Sequence, residues 1–422
     1  MKILIMRIAV CILRIVYVPF KAARIRNKIT IISGQSGQPT ADTSMLAEAL
    51  QRSGTDLEIK LLAARMGRSA GGAVVFTGSM LAQMYHIATS RVVVVERSNI
   101  AVNVLNHKKK TTIVQIWHAP DAIKKAGWQV TDQPGGLDSR VAKVMCVHRN
   151  YNYILCPAHA VSGAILETFG ADRNGYDESN LVYLGLPRID LITAAAHPAE
   201  DPGAEIRTRI LCQYPVLAGG GIDDAPSAKA GIAGGEEKRI TIMYAPTFRD
   251  GRPTEIAPLL GCVDFEKFNF VLKLHPLDGT EIARDGETSR DASQSRFGVP
   301  QFIVDRTFSV NEWFSVCDIV ITDYSGLDIE AAVAGISTYF YLYDLEQYEA
   351  DRGLNVDLRR ERIAEYVFEN AEKLMTRIEA QAAGITPYDL SLLSAFRGKY
   401  AEFPDSGNAA RLATFLKSFT EK

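Results

Sequence analysis

From residue 28 onward the chain alternates short, continuously apolar runs with longer amphipathic stretches, and this rhythm constrains its fold more than any other feature. KITIIS (28–33) reads as a strand, followed by a loop bearing Gly and Ser and a helix over 45–52. Further strands are expected at 57–62, 74–77, 92–96, 112–117, 153–156 and 181–184, with helices over 79–88 and 161–169 between them. Strands that are apolar on both faces and separated by helices predict a parallel sheet covered on both sides. The rhythm breaks over 196–238, where a helical piece at 204–213 leads into AGGGIDDAPSAKAGIAGGEEK, read as a flexible surface insertion. It then resumes, with strands at 239–244, 268–274, 301–304, 318–322 and 337–341 and helices at 311–315, 327–334, 363–369 and 371–382. A chain of 422 residues exceeds one ordinary core. The prediction is therefore α/β, with two doubly wound Rossmann-type lobes: 29–195, a linker and insertion over 196–238, and 239–422. Ligands of such folds sit in a cleft beyond the carboxyl ends of the strands.

Polar residues cluster at those strand ends. TTIVQIW runs into His118, ITIMYA into Pro246, Thr247, Phe248 and Arg249, and FVLKL into His275 and Pro276. DIVIT runs into Asp323, Tyr324, Ser325 and Gly326, and STYFYLY into Asp344. Five clusters at comparable positions predict one site. Ser325 and Gly326 precede the helical LDIEAAVAG, so backbone N–H groups and the helix dipole there favour either a phosphate or a plain N-cap. Arg249 offers a planar fork suited to phosphate oxygens. His118 and His275 are able to exchange protons near neutral pH, although a histidine in a strand-terminal turn is more often structural.

Residues 1–28 are of another kind. Positions 3–20 are mostly aliphatic, but Arg7 and Arg14 interrupt the run, and each is costly at a bilayer centre. Arg7, Arg14, Lys21 and Lys28 are seven apart and would form one drifting stripe on a helix that Pro19 kinks or divides. An apolar body with a cationic stripe predicts an amphipathic helix lying in the interface of an anionic membrane, in preference to a span or a core helix.

A net charge of −2 removes the basic excess expected of a nucleic-acid binder. The six cysteines contain no CxxC pair and read as reduced core residues, with neither a zinc site nor a disulfide framework. The histidine spacing matches no HExxH metal motif, and GxxxxGK[ST] and GxSxG are absent. Common P-loop ATPase and α/β-hydrolase chemistries are thereby disfavoured.

Read in order, the segments NKITIISGQSG (27–37), QIWHAPDAIKKAG (115–127), YILCPAHAVSGAILETFG (153–170), LGLPRID (184–190), YAPTFRD (244–250), LKLHP (272–276), ITDYSGLDIE (321–330) and YLYDLEQYEADRG (341–353) resemble the CDP-glycerol glycerophosphotransferase family of teichoic acid primases and polymerases. The resemblance implies a GT-B-like arrangement with an acceptor-side N-terminal lobe and a CDP-donor-binding C-terminal lobe. It also implies peripheral attachment to the cytoplasmic side of the cell membrane. The implied reaction transfers glycerol phosphate from CDP-glycerol to a hydroxyl of a lipid-linked polyprenyl-diphosphate glycan acceptor, releasing CMP. No tightly bound cofactor or metal is implied, although stimulation by Mg is compatible with it, and oligomeric state stays open. Carried over by residue, His118 is the general base, and Arg249 and His275 hold the pyrophosphate and stabilise its developing charge. Thr247, Asp323, Ser325 and Asp328 complete the donor site, with Arg352 nearby and Arg188 of LGLPRID also counted among the substrate-binding residues.

Two positions depart from the family pattern: Ala119 stands where WHG is common, and Gly326 where TDYSS is common. They leave the donor open to CDP-ribitol. A GT-B glycosyltransferase using a nucleotide-sugar and a non-catalytic membrane-associated binding protein are the rival readings.

Overall fold

Every strand pairing in the described chain is parallel, in two six-stranded sheets. The computed structural model describes residues 2–34, 37–54, 56–63, 70–119, 122–196, 202–218, 239–249, 252–275, 302–403 and 405–420. Most of the expected insertion (219–238), Gln35 and Ser36 of the first loop, and Pro276 of the HP motif lie outside these residues.

The chain forms two compact units, one of Met1–Leu191, Asp351–Asn355 and Lys399–Lys422, the other of Ile192–Ala350 and Val356–Gly398. In the first, β1 (Lys28–Ser33), β2 (Glu58–Ala63), β3 (Val92–Val95), β4 (Thr112–Gln115), β5 (Tyr153–Leu155) and β6 (Leu181–Val182) lie in the order β2-β1-β3-β4-β5-β6. All six residues of β1 and all four valines of β3 are buried, as a sheet covered on both faces requires. The order reverses between β1 and β3, which places a switch point there.

In the second unit, β7 (Ile240–Tyr244), β8 (Phe268–Leu272), β9 (Phe302–Val304), β10 (Ile319–Thr322), β11 (Ser337–Tyr341) and β12 (Val367–Phe368) lie in the order β12-β11-β10-β7-β8-β9. Its switch point falls between β7 and β10, so the loops carrying Thr247 and Arg249 and carrying Asp323 and Ser325 flank it.

Several expectations are corrected. The expected strand 74–77 lies inside α3 (Ala70–Thr89): a short apolar run has no period of its own, and the apolar stretch around it is long enough for a buried helix. The helix expected at 363–369 is a 3₁₀ turn, Ala364–Tyr366, followed by the edge strand β12. Helix α1 (Lys2–Ala22) runs through Pro19 undivided. Lys28 leaves the cationic stripe altogether, because it begins β1 with its ammonium buried against Thr89 Oγ1 at 2.5 Å and His86 Nδ1 at 3.2 Å.

The C-terminal boundary also differs from the expected 239–422, since residues 399–422 pack with the first unit. The helix Asn408–Lys417 buries Ala409, Leu412, Ala413 and Leu416 and lies against α2 (Ala41–Arg52). Asp190 accepts the Asn408 and Ala409 N–H groups at 2.8 and 3.0 Å, supplying from another segment the cap that Gly407 lacks.

Candidate functional site

In the first unit the chemistry gathers beyond β4. The Gln115 side chain accepts the Trp117 N–H at 2.9 Å, and Trp117 adopts the left-handed region with φ 58°. For a bulky residue this backbone costs about 1–3 kcal/mol and persists only where packing enforces it. The packing is aromatic, with Trp117 meeting Phe169 at 5.1 Å and His148 at 6.0 Å, centroid to centroid. That bend brings His118 against the indole, at 4.2 Å between ring centroids.

Arg188 fixes the same bend. Its side chain is 18% exposed, pairs with the buried Asp42 carboxylate, and donates to the His118 carbonyl at 3.0 Å. Through Asp42 and the His118 backbone, Arg188 positions the turn that carries His118. His118 is held neutral: burial first, then the charges of Arg97, Arg188 and Lys124, push its pKa down to about 3, while the Glu96 backbone carbonyl works the other way. Its Nδ1 is buried and has no hydrogen-bond partner among the described residues.

His118 lines a cavity of about 270 Å³ within this unit, together with Arg97, Ser98, Trp117, Lys124 and Arg352 among others. Arg352 arrives on a strap that runs antiparallel to 122–125. Lys125 N–H donates to the Gly353 carbonyl at 3.1 Å, Asn355 N–H to the Ile123 carbonyl at 2.7 Å, and Lys124 bridges Leu354. Gly353 makes the turn with φ 81°, and a Cβ there would meet Lys125 Cδ at 3.0 Å, so glycine answers both demands. Arg352 Nε donates to the Lys125 carbonyl at 3.2 Å. Arg352 thus belongs to the surroundings of His118.

In the second unit, Arg249 departs furthest from expectation. It is 3% exposed, its Nε and Nη2 pair with the two oxygens of Asp344 at 3.0 and 2.8 Å, and its Nη1 serves Asp323 and the Thr247 carbonyl. Burial opposes the charge, but Asp323 and Asp344 hold the guanidinium protonated more firmly than usual. Pairing with both carboxylates makes Arg249 a clamp on the loops after β7, β10 and β11. Asp323, fully buried, also receives the Thr247 N–H at 2.9 Å on each oxygen and the Tyr324 N–H at 2.6 Å. Asp323 thereby organises the loops after β7 and β10.

Thr247 Oγ1, by contrast, is buried without a hydrogen-bond partner among the described residues. Ser325 Oγ accepts the Leu327 N–H at 3.4 Å before the short helix Leu327–Val333, and Asp328 is buried within that helix. His275 is exposed and lies 5.6 Å from the Phe248 ring. The expected residues thus divide, with His118, Arg188 and Arg352 in the first unit and the other six in the second. Among the described residues, no group of three or more His, Cys, Asp or Glu is arranged to hold a metal ion.

Sequence reasoning passed over Arg97 and Lys124. Arg97 follows VVVV as directly as His118 follows TIVQIW, and a sixth strand-end cluster (Glu96, Arg97, Ser98) was there to be counted. Lys124 carried no such signal, because its place depends on the distant strap.

The family model for CDP-glycerol:poly(glycerophosphate) glycerophosphotransferase matches residues 17–213 and 224–418. The chain is 25% identical to a teichoic acid ribitol-phosphate primase of Bacillus spizizenii, covering 93% of this chain and 91% of that protein. It is 23% identical to a teichoic acid glycerol-phosphate primase of Bacillus subtilis, covering 80% and 76%. The solved wall teichoic acid polymerase TagF superposes with TM-score 0.66 at 16% identity, covering 100% of this chain and 97% of that one. A UDP-GlcNAc 2-epimerase from Neisseria meningitidis superposes at 0.55 with 12% identity, covering 94% and 100%. These likenesses make the fold α/β and GT-B-like, and the family model spans nearly the whole chain: the protein belongs to the CDP-glycerol:poly(glycerophosphate) glycerophosphotransferase family.

Proposed function

We propose that this chain transfers glycerol phosphate from CDP-glycerol to a hydroxyl of a lipid-linked teichoic-acid-type acceptor, releasing CMP. The observation that carries the reading is His118, half-buried, neutral and lining a cationic cavity within a family of phosphotransferases. The Glu96 carbonyl beside the ring favours N–H on one nitrogen, which leaves Nδ1 with a lone pair for an acceptor hydroxyl. In the step proposed, that oxygen bonds to the β-phosphorus as the bond to the bridging oxygen breaks. The proton passes to His118 and the electron pair leaves with CMP. The Thr247 hydroxyl and Ser325 are the donor contacts this reading favours, with His275 on the pyrophosphate and Arg249 acting through the loops it clamps. No tightly bound metal is invoked; Mg would stimulate by neutralising the donor's phosphates.

We place the protein on the cytoplasmic face of the cell membrane through α1. Leu4, Ile5, Ile8, Ile12, Ile15 and Val18 are 52–71% exposed and share one face of this helix, the one described helix long and apolar enough to span a bilayer. Arg14 donates to the Val104 carbonyl at 2.8 Å and the Tyr17 hydroxyl lies 3.2 Å from His107, so the opposite face is tied to the unit. A tethered helix with an apolar outer face suits in-plane insertion.

CDP-ribitol is the second reading, favoured by the ribitol-phosphate primase, which matches more of both chains than the glycerol-phosphate primase does. The test is CMP release with CDP-glycerol, CDP-ribitol or a UDP-sugar and a lipid-linked acceptor analogue. CMP that appears only with a CDP-alditol and acceptor is expected, and UDP in its place would overturn the chemistry.

A further inference from the structure

The cavity that His118 lines has a second histidine, His148, in its wall. His148 is 3% exposed and sits on a loop in which Cys146, His148 and Asn150 have φ of 48°, 62° and 77°. Such backbone is strained for a residue other than glycine and persists only where its surroundings enforce it. Here they do. The Val147 carbonyl accepts the Trp128 Nε1–H at 3.0 Å, and the His148 carbonyl accepts the Tyr176 hydroxyl at 2.6 Å. Asn150 Nδ2 donates to the Val102 and Leu105 carbonyls at 2.8 and 3.0 Å. Between ring centroids, His148 lies 4.7 Å from Phe169 and 6.0 Å from Trp117, whose indole meets His118 at 4.2 Å. A phenyl ring would fill that aromatic space without burying a polar nitrogen. The imidazole has two nitrogens, and Tyr151 engages one, its hydroxyl lying 3.2 Å from His148 Nδ1. Burial pushes the Tyr151 pKa up and the His148 pKa down to about 3, so a neutral phenol meets a neutral imidazole. The phenol supplies the proton of that bond, which leaves the N–H of the ring on Nε2.

We propose that His148 is a further substrate-contacting residue, donating from Nε2 to an oxygen of the acceptor while a hydroxyl of the same molecule faces His118. The assignment rests on the transfer reading above. The two imidazoles are complementary. His118 Nδ1 is buried with no partner among the described residues and accepts, whereas His148 donates. One accepting nitrogen alone leaves a bound hydroxyl free to swing. A donor on a second oxygen fixes its direction, and the direction of the attacking oxygen is what an in-line displacement depends on. Both rings line one cavity of about 270 Å³, so the acceptor they select carries two oxygens within its width. A polyol or a saccharide satisfies this. A simple alcohol does not.

Two measurements on the full chain test this. With histidine rings labelled with nitrogen-15, the His148 resonances are expected to show a protonated Nε2 and a bare Nδ1. The opposite tautomer overturns the proposal, with no variant and no turnover needed. Two amide substitutions then separate the nitrogens in CMP-release kinetics with the lipid-linked acceptor analogue. His148→Asn sets its amide near Nδ1, suits the φ of 62° and keeps a partner for Tyr151, but removes the donor at Nε2. It should raise the acceptor KM at least tenfold and leave the donor KM within twofold. His148→Gln sets its amide near Nε2 and should hold the acceptor KM within about threefold of wild type. A purely structural ring predicts the reverse order, because Asn preserves the loop and Gln does not. That order, or donor and acceptor KM rising together, overturns the substrate contact. Absence of CMP release by the wild-type protein from every donor strikes the transfer reading and the acceptor assignment with it, while the tautomer result is read independently.

Discussion

Arg249→Met removes a buried cation from between two carboxylates and keeps most of the aliphatic stem. Asp323 is wholly buried and the Asp344 side chain is 11% exposed, so neither can recover its lost partner from bulk water. Removing one partner of such a buried set costs about 3–5 kcal/mol. For a unit of about 200 residues, 1 kcal/mol moves Tm by roughly 2–4 °C. R249M is therefore expected to lower the melting temperature of the second unit by about 10 °C, read by calorimetry or circular dichroism on the full chain. The penalty lies in stranded negative charge, so neutralising the acids as well should recover part of it: R249M/D323N/D344N should melt above R249M. Arg249→Lys keeps the charge but loses the fork to Asp344 and should fall between wild type and R249M. A melting curve unchanged within 2 °C, together with a tenfold loss of CDP-glycerol affinity, would refute the clamp and return Arg249 to the donor.

Replacing His118 by Ala should abolish CMP release while leaving CDP-glycerol affinity within about twofold, and lost donor binding in a calorimetric titration would contradict the base assignment. Acid should destabilise the fold through His107, His118 and His148, whose folded pKa values of about 4, 3 and 3 lie below the unfolded 6.5, mainly because burial opposes the charged ring. Stability is then complete above pH 6.5 and is lost as pH falls toward 4, by about 1.4 kcal/mol per pH unit for each ring. Going from pH 7.5 to 5.5 should remove about 4 kcal/mol, and equal urea midpoints at the two pH values would exclude this. Ile8→Glu with Ile15→Glu places two carboxylates on the exposed face of α1 and should release the protein from anionic vesicles in a sedimentation assay; unchanged sedimentation removes the interfacial helix. Burying the six exposed aliphatic residues further is worth about 6 kcal/mol at roughly 1 kcal/mol each, which two acids would largely cancel.

The architecture was readable because its signals are local. A parallel sheet buried on both faces writes itself as runs such as Val92–Val95, and eleven of the twelve strands fall where such runs were marked and begin within about a residue of the expected position. The failures came where neighbours decide. Residues 74–77 look like a strand until the apolar stretch around them is seen to be helical, and β12 exists only because the β11 edge is available to it. The C-terminal helix carries a sound amphipathic pattern, but nothing in that pattern says that Asp190 will cap it. The site divides the same way. Strand-end clustering picked out the loops at the second switch point, yet it could not tell an arginine that faces a ligand from one that faces two aspartates.

That distinction is one of charge environment. Asp344 closes β11 as visibly as Arg249 closes the loop after β7, and the switch-point topology brings the two loops together, so the protein itself supplies the anion that Arg249 needs. Around His118 the balance runs the other way, because Arg97, Arg188 and Lys124 each work against protonation of the ring. An imidazole with pKa about 3 is always unprotonated at neutral pH but is a weak proton acceptor. An anion bound beside it would offset those cations and move its pKa toward the neutral range, where general bases work best.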